Sequence, residues 1–71
     1  MDMVYNNETT LAPFKGKVLI TKAKGGKNVC VKMQDGSFYM IGYLDNEAQK
    51  DMEGSITGFI KAMGWNPEHW L

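Results

Sequence analysis

Between Gly16 and Leu44 three runs of apolar and polar residues alternate, separated by Gly25-Gly26 and Asp35-Gly36. A period of two marks strands with one buried face, and glycine supplies the positive φ that two-residue hairpin loops need. The spacing predicts a three-stranded antiparallel meander over residues 16–44. Treating each pair as a two-residue loop sets the register. Lys22 then faces Val29, Ile20 faces Val31 and Val18 faces Met33. In the second hairpin Met33 faces Phe38, Val31 faces Met40 and Val29 faces Gly42. Val18, Ile20, Val29, Val31, Met33, Phe38, Met40 and Leu44 share one face in this register, and a one-residue slip would scatter them. The opposite face is mixed: Lys17, Leu19, Thr21, Ala23, Asn28, Cys30, Lys32, Gln34, Ser37, Tyr39, Ile41 and Tyr43.

Beyond Leu44 the period changes. Ala48, Met52, Ile56, Phe59, Ile60 and Met63 recur at helical spacing. Asp45 and Asn46 offer N-caps, Asn46 and Gln49 have the form of a capping box, and Asp45, Glu47 and Asp51 suit the positive end of the helix dipole. Gly64 is placed for a left-handed C-terminal cap, with Trp65 packing back on Ile60 as in a Schellman motif. A helix over 45–64 would cover the valine-rich face. Gly54 and Gly58 fall on its far side. The favoured reading is a break or bend near Gly54; the other is a smooth strip open to a partner's backbone.

The tail, 65–71, has Asn66 before Pro67, the signature of one more helical turn. Its Trp70 and Leu71 either fold back over the core or dock into another chain. Residues 1–14 read as an extended arm, with Met3-Val4-Tyr5 as a candidate strand and Leu11 and Phe14 pinned against the core. The fold class is therefore α+β, a β-β-β-α domain spanning 1–71, with an optional N-terminal strand. A small barrel closed by that strand is the alternative architecture.

Composition narrows the chemistry. A chain of 71 residues makes one small domain with little spare stability. Cys30 and His69 are each alone, which excludes an internal disulfide and a zinc site from one chain; no cofactor or metal is expected. A partner or self-association is the natural source of added stability. No leader-like segment and no bilayer-length apolar run is present, so a cytoplasmic protein is expected, without membrane attachment. The Asn7-Glu8-Thr9 glycosylation pattern reads as chance in that setting.

The net charge of zero hides a polarity. Residues 11–34 carry six lysines and no acid, whereas residues 35–71 carry six acids against Lys50 and Lys61. All eight basic residues are lysine. An AT-rich coding genome, as in many phages and low-GC bacteria, is one source of this bias; with the small size it suggests a viral protein, with the host cytoplasm as its place. It also removes the side chain best suited to bidentate reading of phosphate or guanine.

Catalysis has little support. His69, Ser37 and Ser55 have no spacing that links nucleophile to base, and Asp51 and Glu53 point to different helix faces. Lys24-Gly25-Gly26-Lys27 lacks the strand–loop–helix context of a phosphate cradle. A non-enzymatic, protein-binding regulator or inhibitor is the expected function. Its partner-binding residues would be Leu19, Cys30, Lys32, Tyr39, Ile41, Tyr43, Trp70 and Leu71: an apolar, aromatic centre within a polar rim, joined by the tail. The alternative is a nucleic-acid or anionic-nucleotide binder using Lys17, Lys22, Lys24, Lys27, Lys32, Tyr39 and Tyr43, lysines to neutralise phosphates and tyrosines to stack bases. Lysines along a hairpin also keep a sheet edge soluble, a purely structural reason for them.

Overall fold

The computed structural model describes residues 11–71. Four strands, β1 (Leu11–Phe14), β2 (Val18–Ala23), β3 (Gly26–Lys32) and β4 (Phe38–Leu44), form one antiparallel sheet in sequential order. Three helices follow: α1 (Asn46–Gln49), α2 (Met52–Ala62) and α3 (Pro67–Trp70). The meander expected over 16–44 is present, and the end of the N-terminal arm adds a fourth strand to its edge. Among the described residues the sheet is open, with β1 and β4 outermost, rather than closed into a barrel. Pro13 sits on edge strand β1, where its missing N–H costs no ladder bond. The Met3–Tyr5 strand and the rest of the arm to residue 10 lie outside the described residues.

Both hairpins differ from the expected register. In the first, Ala23 pairs with Gly26 and Val18 with Val31, so the loop is Lys24-Gly25, with Gly25 at φ +77°. Val18 does not face Met33, Ile20 faces Val29, and Lys22 faces Lys27. The slip is two residues, an even number, so every side chain keeps its face.

The second hairpin has a three-residue loop, Gln34 to Gly36. The Gly36 N–H donates to the Met33 carbonyl at 3.0 Å, the Met33 N–H donates to the Ser37 carbonyl at 2.8 Å, and Gly36 takes φ +90°. A turn closed by a left-handed glycine is the common three-residue solution. The odd residue turns Phe38, Tyr39 and Met40 over: they pair with Lys32, Val31 and Cys30. An irregularity opposite Val29 and Cys30 then leaves Ile41 as an extra residue in β4 and restores the expected pairs Val29–Gly42 and Asn28–Tyr43.

The core follows from these shifts. Val18, Ile20, Val29, Val31 and Leu44 are buried with Ile56 and Ile60 of α2, and Phe14, Met33, Met52 and Phe59 pack around them. Each fully buried aliphatic side chain contributes roughly 1.5–3 kcal/mol relative to exposure. Two members of the expected core face are corrected: Met40 is 47% exposed, and Phe38 lies on the Lys32 side of the sheet. Ile41, expected on the opposite face, packs against the core.

The expected 45–64 helix is interrupted at Lys50-Asp51, earlier than Gly54. Asp45, rather than Asn46, caps α1 by accepting from the Ala48 N–H at 2.8 Å. The Gln49 amide reaches the Leu44 carbonyl at 3.3 Å instead of closing a capping box. Asp51 leaves helical geometry at φ −138°, ψ 72°, and its carboxylate caps α2 through the Gly54 N–H at 3.1 Å. A Cβ on Gly54 would meet that carboxylate, so a side chain there requires Asp51 to adjust its cap. Gly58 faces open space, and nothing in the structure explains it.

The C-terminal end forms as expected. With Gly64 at φ +82°, the Trp65 N–H bonds the Ile60 carbonyl at 3.2 Å and the Gly64 N–H bonds the Lys61 carbonyl at 2.9 Å, the two bonds of a Schellman motif. Asn66 caps α3 through the Glu68 N–H at 3.0 Å, with Pro67 in the first turn.

Candidate protein-binding surface

The expected partner-binding residues do not assemble as one face. Leu19 and Cys30 lie opposite one another on β2 and β3; Cys30 is fully buried and Leu19 half-buried. Ile41 is turned to the core at the bulge. Tyr39 pairs with Val31 and so departs from the side that carries Lys32, whose cross-strand neighbour is Phe38. Tyr43 keeps its expected side, opposite Asn28, and its hydroxyl donates to the Lys24 carbonyl at 2.8 Å, bracing the β2–β3 loop. The Lys32–Tyr39 pairing implied by the expected register is corrected on the same ground: the odd-length turn pairs Lys32 with Phe38 instead.

The tail folds back. Trp70 and Leu71 pack against the core, and the Trp70 ring stacks on Trp65 with centroids 4.6 Å apart. The Trp70 carbonyl accepts from the Lys17 N–H at 3.1 Å. A side chain on Gly16 would strike that carbonyl, so the glycine makes room for the tail.

What remains exposed is concentrated on one strand. Among the described residues the large hydrophobics left open are Tyr39 at 50%, Met40 at 47% and Tyr43 at 43%. All three belong to β4, one of the two outer strands among the described residues. Reading residue types alone missed Met40, because its exposure depends on the loop length before it.

The lysines form two groups. Lys22 lies directly opposite Lys27, with Lys24 in the loop between their strands. At the other end of the sheet the Lys32 N–H donates to the Lys17 carbonyl at 3.2 Å, which extends the register one step and sets Lys17 beside Lys32. The Lys17 ammonium also lies 3.2 Å from His69 Nε2 and 5.2 Å from the Trp70 ring centre. His69 is 52 positions from Lys17, and no local sequence signal joins them.

Asp35, in the β3–β4 loop, is held below its ordinary carboxylate range. Its Oδ1 accepts from the Ser37 hydroxyl at 2.6 Å, the larger cause, and from the Ser37 N–H at 2.9 Å. Among the described residues no cluster of three or more His, Cys, Asp or Glu side chains is placed to hold a metal ion. No helix among them is long and apolar enough to cross a membrane. No protein-family model, curated protein or solved structure matches this chain.

Proposed function

We propose that this is a small, non-enzymatic protein-binding regulator that engages its target along β4. The observation that carries the reading is that Tyr39, Met40 and Tyr43, all more than two-fifths exposed, lie on one outer strand, with Met40 and Tyr43 on the Cys30–Asn28 side and Tyr39 on the other. Exposed aromatic and methionine side chains supply rigid and adaptable contact area respectively, the mixture enriched at protein interfaces. The bulge at Ile41 interrupts β4 as a template for a long added strand, so recognition rests on side chains around the edge. Trp70 and Leu71 act from within the fold, holding the tail to the β1–β2 turn.

The nucleic-acid reading draws less from this geometry. Tyr43 spends its hydroxyl on the Lys24 carbonyl, and Tyr39 is off the Lys32 side. A paired experiment separates the two. Quantitative capture of cell proteins, with and without nuclease, is compared for the native chain and a Tyr39→Ser/Met40→Ser variant, with oligomeric state followed by sedimentation. Loss of a nuclease-resistant partner or of self-association in the variant supports the β4 reading. Unchanged capture and unchanged oligomeric state refute it, and capture that vanishes with nuclease transfers support to the nucleic-acid reading.

A further inference from the structure

We infer that the groove at the turn end of the sheet binds a small organic acid with an apolar body, a site separate from β4. The groove, of about 720 Å³, runs between the β1–β2 turn, the β3–β4 loop and α3. That volume falls in the range of small-ligand sites, roughly 300–1,000 Å³. Leu19, Met33 and Trp70 supply its half-buried apolar wall, and Lys17, Lys32 and His69 supply exposed basic groups.

Three features point to an anion rather than to a neutral ligand. Lys17 and Lys32 stand side by side across the strands, a like-charge arrangement that costs stability until a counter-charge enters. The Lys17 ammonium already contacts His69 and Trp70, so this exposed side chain is held along the apolar wall. The acid that lines the groove, Asp35, spends one carboxylate oxygen on two bonds from Ser37 and forms no salt bridge with either lysine. A carboxylate set between Lys17 and Lys32 would receive charge-assisted hydrogen bonds, while an aromatic or branched aliphatic body lies along Leu19, Met33 and Trp70. The wall is braced in advance by the Trp65–Trp70 stack and by the Lys17–Trp70 backbone bond. Little ordering is then left for the ligand to drive.

The test is a titration of the full chain, followed by NMR, with 2-naphthoate, 2-naphthamide and acetate as probes. Saturable shifts at Lys17, Lys32 and the Trp70 indole are expected with naphthoate. The amide, which lacks the charge, and acetate, which lacks the body, should bind at least about tenfold more weakly, a ratio set by loss of a charge-assisted bond or of apolar burial. Lys32→Met keeps the aliphatic stem and should weaken naphthoate about tenfold, whereas Lys22→Met, at the far hairpin, should leave it unchanged. Raising ionic strength should weaken the binding, because the lysines are exposed. No saturable shift with naphthoate overturns the inference, as does equal binding of acid and amide. It also fails if Lys32→Met, with its spectrum showing the native fold, binds naphthoate like the unaltered chain. None of these outcomes bears on β4, so the two readings fail separately.

Discussion

Replacing Gly42 by alanine tests the contact that seats α2 on the sheet. A Cβ at Gly42 would lie 2.6 Å from Phe59 Cγ and closer still to two further ring atoms. Ordinary carbon contacts lie near 3.5–4.0 Å, so the ring would have to withdraw by roughly 1 Å. Phe59 packs against the cluster that holds Ile56 and Ile60, and withdrawal disturbs the helix–sheet contact as a whole. Overpacking of this kind costs about 1–3 kcal/mol. Alanine recovers about 0.5–1 kcal/mol by restricting the unfolded chain. The net expectation is a loss of about 1–2 kcal/mol, or about 5–15 °C in Tm for a domain of this length. Urea and thermal unfolding of Gly42→Ala, Phe59→Ala and the double variant measure it. With the ring removed, Gly42→Ala should become neutral or stabilising, a coupling of about 1–3 kcal/mol. A neutral Gly42→Ala, or an equal cost with and without Phe59, refutes the reasoning.

Thr21 is 1% exposed and its hydroxyl oxygen has no hydrogen-bond partner among the described residues. Thr21→Val removes the unpaired group at nearly constant shape and should stabilise by about 1 kcal/mol, read from the urea midpoint; a loss of that size would mean the hydroxyl is bonded. Because the Asp35 pKa is lowered in the folded chain, its contribution is present above the ordinary carboxylate value, about 3.9, and lost as pH falls through the lower folded value. Carboxyl NMR should place the Asp35 midpoint below that of an unstructured peptide and move it back up in Ser37→Ala. Coincident midpoints in the native chain and the variant would exclude Ser37 as the cause.

The parts of the fold legible in the sequence are those that depend on periodicity or on short-range caps. Ile56 and Ile60 declared the buried helix stripe, and Gly64 with Trp65 declared the Schellman end. In the first hairpin a misplaced loop did no harm to the faces, since an even slip preserves alternation. The split of the predicted helix was less visible because Asp51 is acceptable both inside a first turn and as a cap; the choice rests on how its carboxylate meets the Gly54 N–H.

The second hairpin shows why the candidate surface was harder to read than the core. A three-residue loop and an extra residue in β4 are each an odd change, and together they cancel. Val29–Gly42 and Asn28–Tyr43 therefore come out where a two-residue Asp35-Gly36 loop puts them, even though that loop does not form. Between the two irregularities the parity is reversed. Tyr39 leaves the Lys32 side and Met40 leaves the core face, while Ile41, at the bulge itself, goes inward. The segment displaced in this way holds two of the three exposed large hydrophobics among the described residues, Tyr39 and Met40. A core of valines and isoleucines tolerates such compensation because its outer positions are unaffected. Strand β4 is what the compensation reshapes, since the same odd residue that breaks the ladder also brings Met40 to the surface, on the face of Tyr43 and opposite that of Tyr39.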